Sequence, residues 1–600
     1  MASTLPAGGR TFAPPRIAAT EATDRRLVLR SREPLAECAA SVVHEFRAHS
    51  ELHPDRVLVA ERGGDGGWAA TTWGEARVQV DRLAQGLLDR GLADRPVMIL
   101  SGNSRLHLVV MLAAMTVGIP VAPTSVAYSL QSADHRTLRA MAGLTDPGLI
   151  VAEHGSFSAA VAAIADGRTV LTGADGVEHA STVEELSATP TAAVDARCAG
   201  LRGSDIAKIL FTSGSTGAPK GVLNTHGMLA VNQQQLRQVW PFLRDEPPVL
   251  LDWLPWSHTF GGNHNLNVVL AHGGTMWIDD GRPAPGLVER TVRNLADARP
   301  TIYLNVPAGY AALLPWLERD PDAARAFFDR LRLGFFAAAA LPQELWDRLM
   351  VLAAAHDSTM EMTTSWGLTE SSPAATVAHF PIAHSDRLGV PVPGVEVALV
   401  PVGGKYEARL RGPSITPGYL GRPDLTSTAF DEHGFFRTGD AVALADTEDP
   451  GAGLVFRGRI AEEFKLATGT FVSVGTLRPR LLSASRGLFN DAVICGENAS
   501  RVTALVWLHP EHAHRCGDDG VPDGDLRAEI VRVLARLAEE GGGSSQRVDR
   551  LAVLREPPSL DAGEITDKGY LNQRVVRELR EKQVELLAME PCPPQVVRRV

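Results

Sequence analysis

Paired cysteines, long apolar runs and an excess of basic charge are all missing from this 600-residue chain. Its five cysteines (Cys38, Cys198, Cys495, Cys516 and Cys592) are odd in number and widely scattered, with no CxxC pair. That spacing argues against a disulfide framework and a thiolate zinc site, and predicts a reducing, cytoplasmic setting. The longest apolar stretch, from residue 108 to 121, is broken by Gly118 and Pro120. It falls short of the roughly 18 residues a membrane span needs, so no span is expected. The first residues carry arginine and proline without a continuous apolar segment, so no secretory signal is expected either. With 59 Lys and Arg against 70 Asp and Glu, the net charge is −11. No basic field is available to hold a polyanion, which argues against nucleic acid as a partner and leaves a nucleotide to be bound in a local site.

What is present is the texture of a large globular protein. Six hundred residues exceed what one core serves, so several structural units are expected. Residues 1–35 are rich in Pro, Ala, Gly and Arg without periodicity and read as a loose arm. Beyond them a helical pattern such as that over residues 73–92 alternates with short apolar runs at 96–100, 149–152, 248–252, 275–279, 301–304 and 332–336. This alternation predicts βαβ units and parallel sheets. From about residue 394 to 459 the pattern turns to alternating strands with Gly/Pro turns, a β-rich subdomain; residues 460–600 read as a separate unit.

Residues 209–221, Ile-Leu-Phe-Thr-Ser-Gly-Ser-Thr-Gly-Ala-Pro-Lys-Gly, carry the strongest chemical signal. An apolar strand runs into a hydroxyl-rich glycine turn and a lysine. Gly214 and Gly217 allow backbone N–H groups to approach an anion, Thr212, Ser213, Ser215 and Thr216 add hydroxyls, and Lys220 adds charge. A Walker A loop is excluded because Pro219 precedes the lysine and no Ser or Thr follows it. A hydrolase elbow is excluded because Ser213 stands where its first glycine belongs.

Three further strings follow. Thr364-Ser365-Trp366-Gly367-Leu-Thr369-Glu370 puts a carboxylate beside a hydroxyl on a glycine turn, which suits Mg²⁺ shared with phosphates; alone, Glu370 is equally a helix-start residue. Gly434-Phe-Phe-Arg-Thr-Gly-Asp440, with Arg459 nineteen positions on, suits a sugar clamp, because one carboxylate accepts from two ribose hydroxyls; alone, it is an Asx turn. Pro255-Trp-Ser-His258-Thr-Phe-Gly261 carries a histidine among apolar residues, which by itself is more often structural than functional.

Taken together these strings resemble the adenylate-forming superfamily of acyl-CoA synthetases, peptide-synthetase adenylation domains and luciferases. The resemblance implies an α/β fold: a large N-terminal AMP-binding domain over residues 36–459, made of two α/β subdomains plus a β-rich subdomain, followed by a small mobile α+β C-terminal domain over 460–600. It implies ATP or AMP bound by residues 212–217 and Lys220, by Ala338 and Ala339 in the small-residue run 337–342, by residues 364–367 with Trp366 in place of a tyrosine, and by Asp440 and Arg459. Thr369 would contact phosphate and Glu370 would hold Mg²⁺. His258 would stand at the wall between acid and AMP, and Lys568 in Glu564-Ile-Thr-Asp-Lys568-Gly-Tyr would be the mobile catalytic lysine, although here glycine follows rather than precedes it. Lys465 and Gly469 in the loop 464–475 would line the tunnel for coenzyme A. Ala461 replaces the Asp or Lys common at the hinge.

Within the superfamily, residues 251–265, 278–283, 464–469 and 564–573 look most like bacterial feruloyl-CoA synthetases. The implied activity joins a small-molecule aromatic acid, ferulate or a related hydroxycinnamate, to coenzyme A through an acyl-AMP, with Asn263, His264 and Tyr303 near the acid; a homodimer is compatible with such a chain. A fatty-acid ligase or an enzyme loading a carrier protein is an alternative, although Gly542-Gly-Ser-Ser545 lacks the Asp-Ser core of a carrier attachment site. A non-catalytic nucleotide sensor is a third, disfavoured by Glu370, Asp440 and Arg459.

Overall fold

The computed structural model describes residues 11–22, 25–174, 176–213, 219–402 and 405–599, with Ser213 described as backbone only. Its N-terminal part is built on three sheets. A seven-stranded sheet holds the four parallel strands Val97–Leu100, Val121–Thr124, Leu149–Ala152 and Thr169–Thr172, together with the hairpin Ile206–Ser213 and Pro219–Thr225. The first three of these strands are buried along their whole length, as parallel strands covered by helices on both faces are. The broken apolar stretch resolves accordingly into the helix Arg105–Thr116 and the strand that begins at Val121. No helix among the described residues is long and apolar enough to cross a membrane.

A four-stranded sheet pairs Val249–Asp252 with Thr275–Ile278 in parallel and continues through Val57–Arg62 to Trp68–Thr72. The helix that follows, Trp73–Asp89, starts where sequence dictates: Thr72 accepts from Glu75 N–H while the Glu75 side chain accepts from Thr72 N–H. The third sheet has eleven strands. Its parallel end, Ile302–Asn305, Leu333–Phe336 and Glu361–Gly367, passes into antiparallel strands that include Glu396–Val402, Lys405–Arg411, Phe436–Leu444 and Leu454–Arg459.

Two expectations need correction here. The β-rich part begins before residue 394, because Ala374–Val377 and Arg387–Pro391 already belong to it. The N-terminal arm is not loose over its described length: Ile17–Glu21 and Leu27–Ser31 form a hairpin whose second strand pairs with Glu396–Val402. The bare strand edge supplied by a segment far along the chain orders these residues, and no local periodicity announces it.

One large core joins the three sheets, with Trp73, Trp240 and Trp256 almost fully buried in it. The C-terminal part has its own core around a four-stranded sheet, Phe489–Cys495, Thr503–Leu508, Arg550–Leu554 and Val596–Arg598. Separate cores are what independent folding units require; the two parts touch where the helix Val474–Ser485 meets the strand Leu454–Arg459.

Candidate active site

The hairpin that carries the glycine-rich string sets Thr212 opposite Lys220. Gly214, Ser215, Thr216 and Gly217 lie outside the described residues, as does the Ser213 side chain. Beyond the hairpin, residues 418–420 are zipped onto its second strand, with Leu223 N–H donating to Gly418 O at 3.1 Å and Leu420 N–H to Gly221 O at 2.8 Å. This places Tyr419 between two of the sequence-predicted residues. Its ring lies under the Lys220 ammonium, 5.5 Å from the centroid, and its hydroxyl donates to Glu370 Oε1 at 3.0 Å. Thr369, next to Glu370, is buried, and its carbonyl accepts from Asn224 Nδ2 at 3.4 Å. Among the described residues no three His, Cys, Asp or Glu side chains gather as a metal cage. A lone carboxylate near the Lys220 ammonium fits Mg²⁺, which takes one or two protein oxygens and fills its shell with other oxygens such as water.

A second group forms across the antiparallel sheet. Asp440 and Arg459 are directly opposed in neighbouring strands, and Trp366 Nε1 donates to Asp440 Oδ2 at 2.9 Å. Arg459 Nε stands 3.3 Å from Oδ1 but is not aligned to hydrogen-bond it, so this buried oxygen has no hydrogen-bond partner among the described groups. Burial pushes the Asp440 carboxyl above its ordinary range, while Arg459 and the Trp366 N–H pull it down. An orphaned buried carboxylate oxygen is the acceptor a sugar hydroxyl would satisfy. Strand Glu361–Gly367 runs parallel to Leu333–Phe336 with Thr364 opposite Phe336, two residues before Ala338. Ala338 holds φ +72°, a left-handed conformation costly for alanine, at the exposed turn that ends its strand.

The third group surrounds His258. The segment after it, Thr259–Asn265, is a π-helix. A Cβ on Gly261 would come within 2.3 Å of Leu254 O, and one on Gly262 within 2.2 Å of Trp256 O, so the pair of glycines lets this turn lie flat on the preceding chain. Lys208 donates from below to Gly262 O at 3.0 Å; it is fully buried, and burial pushes its ammonium down to about 7. Asn263 Nδ2 donates to Asn224 Oδ1 at 2.6 Å, and its carbonyl accepts from Gln233 Nε2 at 3.1 Å. The side-chain oxygens Gln233 Oε1 and Asn263 Oδ1 are buried without a hydrogen-bond partner among the described residues. His264 stacks on Phe335, with centroids 5.0 Å apart and planes at 26°.

Tyr303 does not join this group. It sits opposite Gly334 in register while its neighbour Leu304 sits opposite Phe335, so its ring points to the other face of the sheet. There it packs edge-on against Tyr310 and Phe327, and its hydroxyl accepts from Asn305 Nδ2 at 2.8 Å. A polar residue on an apolar strand fits either face, and only the register decides.

Lys568 lies on a tight turn in which Gly569 N–H donates to Thr566 O at 2.9 Å. Gly569 holds φ +78°, which accounts for a glycine after the lysine. Asp567 and Lys568 occupy the two central positions, and the turn is docked against the N-terminal part: His258 Nε2 stands 3.2 Å from Asp567 Oδ2. Burial first, then the Lys568 charge, lowers His258 to about 4, so the contact is a neutral imidazole facing a carboxylate. Lys465 and Gly469 are elsewhere, in the hairpin of Phe464–Lys465 with Phe471–Val472; neither lines the cleft shared by His258, Thr212 and Asp567. Ala461 falls in the short turn Ile460–Glu462 just after Arg459.

A family model described as "AMP-binding enzyme" matches residues 46–420, more than half of the chain. The chain belongs to the AMP-binding enzyme family. The match includes the hairpin, Glu370 and Tyr419 and ends before Asp440. Among relatives, malonate–CoA ligase ACSF3 (mitochondrial) of Mus musculus is 29% identical over 403 residues, 61% of this chain and 64% of that protein. The chain thus spans just under two thirds of that ligase. Long-chain-fatty-acid–CoA ligase FadD15 of Mycobacterium tuberculosis is 26% identical over 605 residues, 90% of this chain and 95% of that protein. The fold of this AMP-binding enzyme is that of the A-PCP didomain of carboxylic acid reductase from Segniliparus rugosus in complex with AMP (TM-score 0.70, 20% identity, 93% of this chain and 83% of that one). It is also that of ATP-bound MatB from Rhodopseudomonas palustris (TM-score 0.64, 21% identity, 90% and 99%).

Three residues of this enzyme's site escape a motif reading: Lys208, Tyr419 and Asp567. For Lys208 a signal exists, since a single charge inside Ile206-Ala-Lys-Ile-Leu-Phe211 is anomalous in a buried strand. Tyr419 and Asp567 act through contacts 49 and 309 residues away, which no local pattern encodes.

Proposed function

We propose that this AMP-binding enzyme is an ATP-dependent acid–CoA ligase acting on an aromatic carboxylic acid, with a hydroxycinnamate such as ferulate as the best candidate. The observation that carries the ligase reading is Asp440, buried, held by Trp366, flanked by Arg459 and left with one free acceptor oxygen, with Trp366 four residues before Glu370 of the Lys220–Tyr419–Glu370 cluster.

A carboxylate cannot expel oxide, so it needs prior conversion to a mixed anhydride. In this reading the acid carboxylate attacks the α-phosphorus of ATP and pyrophosphate leaves; a thiolate then attacks the acyl-AMP carbonyl and AMP leaves. Asp440 fixes the ribose, Lys220 and the backbone of the 212–220 hairpin bind phosphate, and Lys568 neutralises charge that accumulates in the first step. Mg²⁺ bound at Glu370 would add further neutralisation of phosphate charge. His258, neutral at physiological pH, gives the acid a wall without a competing positive charge. Docking of the turn against His258 and Tyr128 would limit the access of water to the anhydride.

The aromatic preference is supported by the stacked His264–Phe335 pair and by the partnerless oxygens of Gln233 and Asn263, acceptors that would suit a phenolic hydroxyl. A long apolar tail would leave those oxygens unpaired at a cost that a hydroxylated ring avoids. The names of the relatives, malonate and long-chain fatty-acid ligases, support the wider acid–thiol class and favour a fatty acid as the second reading. The deciding experiment supplies ATP, Mg²⁺ and coenzyme A with ferulate, p-coumarate, benzoate, malonate and fatty acids, and follows thioester and AMP together. Ferulate-dependent thioester with matching AMP is expected; turnover confined to fatty acids or malonate would overturn the aromatic assignment, and AMP without CoA thioester would redirect the acceptor to a carrier protein.

A further inference from the structure

Besides the Lys405–Glu463 ion pair, the two parts of the chain meet through two carboxylates, one just before the Lys568 turn and one within it. Asp561 Oδ1 accepts from Ser132 Oγ at 2.5 Å and Oδ2 from Ala133 N–H at 2.9 Å. Six residues on, Asp567 reaches both Tyr128, whose hydroxyl donates to Oδ1 at 3.4 Å, and His258. The receiving segment is prepared for them. Ser132 Oγ also accepts from His135 N–H at 2.9 Å, and the imidazole of His135 bonds back to Ser129 O at 3.1 Å, so the turn 129–135 is rigid before docking. It ends at the start of the helix Arg136–Thr145, whose N-terminal end favours an approaching carboxylate. On the other side, the loop that bears Asp561 and Asp567 is braced by Glu564. That residue is nearly fully buried, accepts from Ser559 N–H at 2.9 Å and forms a two-point pair with Arg580 at 2.7 and 2.9 Å.

Two rigid surfaces therefore meet through Asp561 and Asp567, with Lys568 exposed beside the second. In a turn whose two central residues are Asp567 and Lys568, fixing the first side chain fixes where the second can project. We propose that Asp561 and Asp567 are positioning residues, a two-point latch that holds the Lys568 turn over the cleft for the adenylate-forming step and releases it for thioester formation. The latch rests on the ligase reading for its kinetic meaning, but its geometry can be read without any turnover.

Each carboxylate of the latch makes two contacts and lies outside both cores, so removing one weakens docking without touching either core. Asp561→Ala and Asp567→Ala should each slow acid-dependent ATP–pyrophosphate exchange by at least about 10-fold, the scale of one hydrogen bond to a charged group. Thioester formation from supplied acyl-AMP should change by less than about twofold, because that step does not use the docked turn. Equal loss in both steps, or no loss in either, would overturn the proposal. Hydrogen–deuterium exchange provides the readout independent of activity. In the wild type the Ala133 amide should be protected; in Asp561→Ala it should exchange faster, while amides of the buried strand Leu149–Ala152 stay unchanged. A wild-type Ala133 amide that exchanges as an open one would refute the latch even in a fully active ligase, and protection in an enzyme inactive on every acid would refute the ligase reading while leaving the docked geometry standing.

Discussion

The two walls of the cleft are built on opposite plans. On the proposed nucleotide side the polar groups reach one another at 2.9–3.3 Å, and all but Tyr419 come from stretches that read as motifs. On the acid side the polar groups are sunk in the core: Lys208, Asn224, Gln233, Asn263, His264 and Asn265 are all almost fully buried, and two amide oxygens and one ring nitrogen among them lack a partner. In the proposed reaction ATP always brings the same ribose and phosphates, so one set of contacts serves whatever the acid. The acid would be what varies, and a wall that recognises it would have to exclude water, which puts its polar groups where each unpaired atom is costly.

If the nucleotide wall is the common anchor, damage there should be largest and blind to the acid supplied. Asp440→Ala removes the buried carboxylate proposed to hold the ribose and strands the Trp366 N–H; KM for ATP should rise on the order of 100-fold, by the loss of two hydrogen bonds to a charged acceptor. Steady-state kinetics with two different acids check this, and a loss that depends on the acid would break the division between the walls. Trp366→Phe keeps the ring and deletes the donor, leaving Asp440 in place but unoriented. A rise in KM for ATP of about 10-fold with kcat nearly unchanged is expected.

The buried wall answers to pH instead. Lys208 has a folded-state pKa lowered to about 7 by burial, against about 10.4 in an unfolded chain. Between those values the unfolded chain holds the extra proton, so this residue makes stability rise with pH, by at most about 1.4 kcal/mol per pH unit, and below pH 7 its contribution is a constant penalty. The melting temperature of the wild type should therefore gain on that of Lys208→Met as pH is raised from about 7 to 9. Parallel pH profiles for the two proteins would mean that Lys208 is solvated or charge-paired in solution, and that the acid wall is wetter than its geometry indicates.

The same division governs what could be read from the chain before its fold. The parallel strands at 97–100, 149–152 and 333–336 were legible because burial on both faces writes itself as an unbroken apolar run. Asp440 and Arg459 were legible as a pair because they are neighbours in one antiparallel ladder, nineteen residues apart. The hairpin of Ile17–Glu21 with Leu27–Ser31 was not, since its order comes from a strand edge nearly 370 residues away. Nor was Asp567, which looks like a solvated charge until the turn that carries it is set against His258 and Tyr128. Motifs record what a residue does next to its sequence neighbours; the contacts of Lys208 with Gly262, of Gln233 with Asn263 and of Asp567 with His258 are made only in the folded chain.

Tyr303 gives the smallest and most discriminating test of that distinction. Sequence places it beside Asn263 and His264 as a third polar group for the acid, whereas register turns it to the opposite face, against Tyr310 and Phe327. Its hydroxyl serves only Asn305 there, and the backbone carbonyl of Tyr303 that accepts from Tyr310 survives any side-chain change. Tyr303→Phe should cost about 1 kcal/mol of stability, one hydrogen bond, and leave the ranking of acid substrates untouched. A changed ranking would bring the two faces of the sheet into communication and move the acid wall from the π-helix to the helices behind Ile302–Asn305, whereas an unchanged ranking with a lowered melting temperature keeps specificity on the side of Gln233, Asn263 and His264.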